Sequence, residues 1–104
     1  MIEKTLTTGR KVKIKELSVD QIDDLKDIIE VIYMPGGKST IKYLNRARSA
    51  WIRAGLGGGD FKGWKPNGVG PPDNVLKQLK DTEREELFDF IQSAQTLGEE
   101  KPSN

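Results

Sequence analysis

The chain has 104 residues, 32% of them charged and 35% hydrophobic, with a formal net charge of +1. It contains no cysteine and no histidine, which excludes disulfides, thiolate nucleophiles, zinc sites with Cys or His ligands and imidazole catalysis. There is no apolar run of about 18 residues and no signal-peptide pattern after Met1. We therefore expect a cytoplasmic, non-enzymatic protein with one domain over residues 1–98 and a flexible tail at 99–104.

A β-hairpin is predicted for residues 1–16. The segment Thr7-Thr8-Gly9-Arg10 is typical of a tight turn, in which Gly9 supplies the positive φ. Val12 and Ile14 then alternate with lysines, a period of two with one buried face. Because a two-stranded hairpin is only marginally stable in water, it must pack on helices or on another sheet edge.

The first helix is predicted over residues 18–34. Ser18 and Gln21 have the spacing of a capping box, which favours a helix start at this point. An apolar face with helical spacing follows, formed by Ile22, Leu25, Ile29, Ile32 and Tyr33. The aspartates opposite this face lack the alternating spacing of a calcium loop, so we interpret them as a solvated surface.

A second helix is predicted over residues 39–54, with Ser39 as its N-cap. The preceding Gly37-Lys38-Ser39 matches only the end of a phosphate-binding G-x-x-x-x-G-K-[ST] loop, and the element before it is predicted to be a helix. We therefore expect no bound nucleotide and no other cofactor. Arg48 projects close to the apolar face, where it snorkels, pairs with a carboxylate or contacts a partner.

Residues 55–72 are predicted to form a long loop rich in glycine and proline. This segment follows a helix instead of leading into one, so it is a poor candidate for a phosphate-binding loop. Phe61 and Trp64 lie three residues apart and could anchor the loop on its own domain or on a partner protein. Both interpretations stay open at this point.

Helices are predicted again over residues 73–97. Asp73 is expected to cap a short helix, and Asp81 or Thr82 a longer one. Phe88 falls outside the apolar face of the longer helix. We therefore expect Phe88 to be exposed and, with Phe61, Trp64 and Arg48, to contact a partner.

The middle of the chain is basic. Residues 38–65 contain only Asp60 as an acidic residue, against seven basic ones. Aromatic residues lie between these cations, a combination that favours contacts with phosphates and stacked bases. A nucleic-acid-binding function is therefore the alternative hypothesis, and its candidate contacts are Lys38, Lys42, Arg46, Arg53, Lys62 and Lys65.

The start of the chain resembles the bacteriophage tail assembly chaperone family. The likeness covers roughly the first 30 residues and is carried by Thr5-Leu6-Thr7-Thr8-Gly9-Arg10-Lys11-Val12 and by Lys15-Glu16-Leu17-Ser18. It implies a non-enzymatic protein in the host cytoplasm that keeps a long, hydrophobic tape measure protein soluble. The same resemblance implies contacts with tail tube subunits and self-association.

Taken together, the patterns predict a predominantly helical α+β domain. Its N-terminal β-hairpin is followed by about four helices and a long Gly-rich loop. The leading functional hypothesis is a phage tail assembly chaperone that acts through protein–protein contacts, without a cofactor, a metal or a membrane. The alternative is a small nucleic-acid-binding or host-modulating phage protein that uses residues 38–65.

Overall fold

The computed structural model describes residues 1–28, 30–34, 38–66, 68 and 70–99. Its strands are β1 (Ile2–Thr5), β2 (Lys11–Ile14), β3 (Glu30–Met34), β4 (Lys38–Lys42) and β5 (Leu56–Gly59). Its helices are α1 (Val19–Lys26), α2 (Leu44–Gly55), α3 (Asp73–Leu76) and α4 (Asp81–Glu99). The predicted α+β class is confirmed.

The predicted N-terminal hairpin is present. β1 and β2 are antiparallel, with Ile2 opposite Ile14. Gly9 has φ +92° in the turn, and the Leu6 N–H donates to Arg10 O at 2.8 Å. The period of two in the sequence is explained by burial, since Val12 and Ile14 are inaccessible to solvent while the lysines at 11 and 13 are exposed.

The start of the predicted Gly-rich loop is instead a strand. β5 pairs antiparallel with the free edge of β2 and gives a three-stranded sheet in the order β1-β2-β5. Lys13 lies opposite Gly58 and Ile14 opposite Leu56, so Gly57 is the extra residue of a bulge. The prediction of a loop from residue 55 is therefore wrong at Gly55, the last residue of α2, and for 56–59, where glycines let two backbones approach closely.

Gly59 shows why this strand needs glycine. Its φ is +143°, and a Cβ atom at this position would lie 2.5 Å from Lys11 O. Both the dihedral angle and the lack of space exclude a side chain. The glycines that suggested an irregular loop thus allow β5 to pair with β2.

The first predicted helix is only half right. The capping box is confirmed, because Gln21 N–H donates to Ser18 Oγ at 3.2 Å and Ser18 N–H donates to Gln21 Oε1 at 3.0 Å. However, α1 ends at Lys26, and residues 30–34 form β3. The segment from 28 to 32 is rich in β-branched residues, which favours extended backbone over a helix.

The second predicted helix also begins later than expected. Residues 38–42 form β4. The prediction of Ser39 as the N-cap of the second helix is therefore wrong. α2 starts at Leu44, after Tyr43 in the left-handed conformation at φ 64°. Strands β3 and β4, referred to below as the ribbon, pair with each other in a separate two-stranded sheet.

Helices α2 and α4 pack against the three-stranded sheet. α4 packs against α2 and against β2, while α2 also contacts β5 and α1. The side chains between these elements form one core, whose fully buried members include Leu6, Val12, Ile14, Trp51, Ile52, Leu56, Val75, Leu87 and Ile91. No helix within the described residues is long and apolar enough to cross a membrane.

Gln95 joins the far end of α4 to the backbone that follows β2. Its Oε1 accepts from the Leu17 N–H and its Nε2 donates to Lys15 O, both at 3.0 Å. Gln95 is 8% exposed, so an amide side chain satisfies backbone groups that would otherwise be buried without partners.

The predicted ends of the last helices need two adjustments. Pro72 rather than Asp73 is the N-cap of α3, without a side-chain cap bond, and α4 extends to Glu99. The predicted flexible tail begins within that helix at 99, while 100–104 lie outside the described residues.

We expect Gly59→Ala to destabilise the domain far more than Gly9→Ala. Both glycines have positive φ, which costs an L-residue roughly 1–2 kcal/mol. A Cβ atom at Gly9 would have no atom within 4 Å, whereas one at Gly59 would meet backbone. Urea denaturation of the two variants measures the difference. Equal losses of stability would show that β5 tolerates a side chain at this position.

Candidate functional site

A polar cluster lies under the turn of the N-terminal hairpin. Its members are Thr8, Arg10, Asp60, Lys80 and Glu83, which line a shallow cleft of about 320 Å³. The hairpin turn presents the first two residues and the start of α4 presents the last two. Their separation along the chain means that only the fold brings them together. We refer to them below as the Arg10–Glu83 cluster.

Glu83 is the buried centre of this cluster, with 2% of its surface exposed. Its Oε2 accepts from Thr8 Oγ1 at 2.7 Å and from Arg10 Nε at 3.0 Å. Its Oε1 accepts from the Lys80 N–H at 2.9 Å. Glu83 therefore caps the first turn of α4 and holds the hairpin turn against it.

The environment of Glu83 favours its charged form. Burial by itself would raise the pKa of the carboxyl. The hydrogen bonds from Lys80 N–H, Thr8 and Arg10 together outweigh burial, and they hold the pKa of Glu83 below its ordinary value. The site therefore keeps a negative charge at neutral pH.

Arg10 connects the cluster to the Gly-rich segment, the name used below for the part of the chain at 55–72 that was predicted as a loop. Its guanidinium also donates to Asp60 O and, at 3.2 Å, to Gln78 O. The same group lies 4.8 Å from the centre of the Phe61 ring, within the range of a cation–π contact. Because protein acceptors use the Arg10 nitrogens and Thr8 donates to Glu83, the contacts of the Arg10–Glu83 cluster hold the hairpin turn, α4 and the Gly-rich segment together.

The two aromatic residues of the Gly-rich segment, Phe61 and Trp64, differ in how far they are buried. Phe61 is buried, and Trp64 is half-buried against it, with ring centres 5.6 Å apart in an edge-to-face arrangement. Gln78 holds the backbone between them, since its side chain accepts from Lys62 N–H and donates to Lys62 O, both at 2.9 Å. Phe61 is therefore a tether to the domain, and Trp64 is the ring that reaches the surface.

Phe88 is not exposed, so that prediction is wrong. It is 7% accessible and packs edge-to-face on Trp51, with ring centres 6.2 Å apart. The Arg48 guanidinium lies 6.0 Å from the centre of the Phe88 ring and pairs with Glu85 at 3.4 Å. The expectation that Arg48 pairs with a carboxylate is the one that holds. Phe88 therefore presents no free surface of the kind expected for a partner contact.

Both apolar packing and polar contacts hold α2 against α4 near these residues. Besides the Arg48–Glu85 pair, the Arg84 guanidinium donates to Ser49 Oγ. Within the described part of the chain, three buried nitrogens there lack an acceptor: Arg48 Nε, Arg84 Nε and Trp51 Nε1. Each such donor costs about 1–3 kcal/mol. The large buried rings of Trp51 and Phe88 offset this cost.

The six candidate nucleic-acid contacts lie on different elements of the fold. Arg53 is bound to Asp73 and to Pro71 O, and its hydrogen bond and charge lower the pKa of Asp73. Arg46 is exposed and lies 5.4 Å from the Tyr43 ring. Lys62 and Lys65 are exposed on the Gly-rich segment, while Lys38 and Lys42 belong to β4.

Comparison of the chain with protein-family models, with curated proteins and with solved structures gave no match. Among the described residues, no group of Asp and Glu side chains is arranged to hold a metal ion. The geometry of the chain's own residues therefore carries the functional argument.

We expect Glu83→Gln to change how stability depends on pH. Because the pKa of Glu83 is lower in the folded chain, its charge stabilises the fold above about pH 4.5, its ordinary value, and this contribution is lost on acidification below it. The free energy of unfolding of the variant should be about 2 kcal/mol lower than that of the natural chain at neutral pH. On acidification it should fall further by less than that of the natural chain. Denaturant titrations between neutral and acidic pH measure both effects.

Glu85→Gln is the matched control, since Glu85 lies on the same helix in an exposed pair with Arg48. Glu85→Gln should lower the free energy of unfolding by less than about 1 kcal/mol. Its stability should fall on acidification as much as that of the natural chain does. An unchanged pH profile in Glu83→Gln would contradict a folded-state effect on the pKa of Glu83.

Proposed function

We propose that the protein is a non-enzymatic assembly chaperone of the phage tail type, acting in the host cytoplasm. In this proposal it binds a long, helical, hydrophobic partner such as a tape measure protein and keeps it soluble. The likeness of residues 5–18 to that family supports the proposal, and so does the central place of this segment in the fold. The hairpin carries the turn that Glu83 binds.

The observation that carries the proposal is the presentation of Trp64. Phe61 supports one side of its ring, and the paired hydrogen bonds of Gln78 to Lys62 fix the backbone before it. An aromatic ring that is held in place at a surface loses little conformational freedom when it binds a partner. Such rings frequently provide most of the energy of a protein interface.

The charges beside Trp64 fit a chaperone that must release its partner. Lys62 and Lys65, which lie before and after Trp64 in the sequence, are both exposed. A polar rim around an apolar contact keeps the free protein soluble and contributes little to affinity. The bound partner can then leave when polymerising tube subunits offer a larger interface.

We expect Trp64→Ala to weaken partner binding more than it weakens the fold. Co-expression with a tape-measure-like protein of the same phage should show a loss of soluble partner. Titration of the purified proteins should show a loss of affinity of roughly 30-fold, as for a binding residue worth about 2 kcal/mol. The melting temperature should fall only slightly.

Phe61→Ala is the matched comparison, because it removes the buried member of the same aromatic pair. It should destabilise the domain by about 3–5 kcal/mol. If Trp64→Ala lowers the melting temperature as much and leaves partner binding intact, the ring is only a tether and the proposed interface is wrong.

The nucleic-acid alternative has less support because two of the basic groups, Arg48 and Arg53, have carboxylate partners. We expect no detectable binding of a fluorescent single-stranded oligonucleotide at low salt, where electrostatic binding is strongest. Binding that disappears at high salt and in Lys62→Glu and Lys65→Glu variants would instead favour the alternative.

A further inference from the structure

The ribbon is a sheet of only two strands, and each strand has one edge without a partner strand among the described residues. Within the described residues, β3 and β4 pair only with each other, from Glu30 opposite Lys42 to Met34 opposite Lys38. An isolated two-stranded ribbon is marginally stable in water, and a third strand or a packed face is needed for independent stability. The outer edges of the ribbon are therefore where further strand pairing is expected.

The two outer edges differ in sequence. β4 reads Lys-Ser-Thr-Ile-Lys, with a lysine at each end, and edge lysines are a common means of preventing strand pairing. β3 reads Glu-Val-Ile-Tyr-Met. It has a single charge at one end, and its other residues have high β-propensity or are apolar. The edge of β3 is therefore the one open to another strand.

A second copy of β3 fits this edge by symmetry. Antiparallel pairing about Ile32 places Ile32 opposite the same residue of the second copy, and Val31 opposite its Tyr33. Aromatic and β-branched pairs of this kind stabilise a sheet. The equivalent pairing of two β4 strands would place Lys38 opposite Lys42 twice, and opposed like charges destabilise a sheet.

We propose that two copies of the chain associate through the edges of their β3 strands and form a four-stranded antiparallel sheet in the order β4-β3-β3-β4. A twofold axis at Ile32 closes the assembly as a dimer, because each copy uses the same edge. This dimer is tested on the purified chain alone, so its failure and the failure of the proposed chaperone function are distinguishable.

Single-cysteine variants test the register directly. The natural chain has no cysteine, so Ile32→Cys introduces the only thiol. Opposed residues in antiparallel strands have Cα atoms about 4.5–5.5 Å apart, which lies within the range of about 4.4–6.8 Å that a disulfide requires. Mild oxidation of Ile32→Cys should therefore produce a disulfide-linked dimer.

Thr40→Cys is the matched control. Thr40 is the partner of Ile32 within the ribbon, at the same level but on β4. It should cross-link at least ten times more slowly than Ile32→Cys. Equal rates, or faster cross-linking of Thr40→Cys, would overturn the proposal.

Sedimentation provides a second measurement that needs no oxidation. The natural chain should have twice the monomer mass at high concentration and dissociate on dilution, and Thr40→Lys should behave in the same way. Ile32→Lys places two like charges at the axis and should be a monomer throughout. A monomeric natural chain, or a dimer that Ile32→Lys leaves unchanged, would overturn the proposal.

Discussion

Burial of the Glu83 carboxylate under the hairpin turn is the constraint on which the arrangement of the domain depends. A charge removed from water must keep its partners, and those partners come from the turn and from the start of α4. Once Arg10 is fixed in this way, its remaining donors determine where the Gly-rich segment lies, through Asp60 O and the Phe61 ring. One buried carboxylate thus positions a hairpin, a helix and a loop.

The elements governed by local rules were predictable. The hairpin followed from a period of two and a glycine in the turn, and the start of α1 followed from Ser18 and Gln21. The ribbon was not predicted, because apolar residues between 22 and 33 also fit a helical period. The competing signal was present in the β-branched residues on both sides of Pro35-Gly36-Gly37, and the preference for extended backbone prevailed there.

Long-range features of the candidate site could not be read from the sequence. Phe88 lies off the main apolar face of α4, yet it is buried because α2 covers that side of the helix and places Trp51 against it. Arg10 and Glu83 are 73 residues apart. The available signal was the position of Glu83 three residues after Lys80, the spacing of a capping box, but nothing local indicates that the hairpin supplies its other partners.

The link between Leu17 and Gln95 has a consequence for the time at which the domain folds during synthesis. It spans 78 residues, so the first hairpin leaves the ribosome long before the helix that covers it. Contacts of such high sequence separation slow folding, and the apolar face of the sheet stays uncovered until α4 has been synthesised. The nascent chain thus passes through an interval in which the apolar face of its first hairpin is exposed, and exposed apolar surface of this kind favours aggregation.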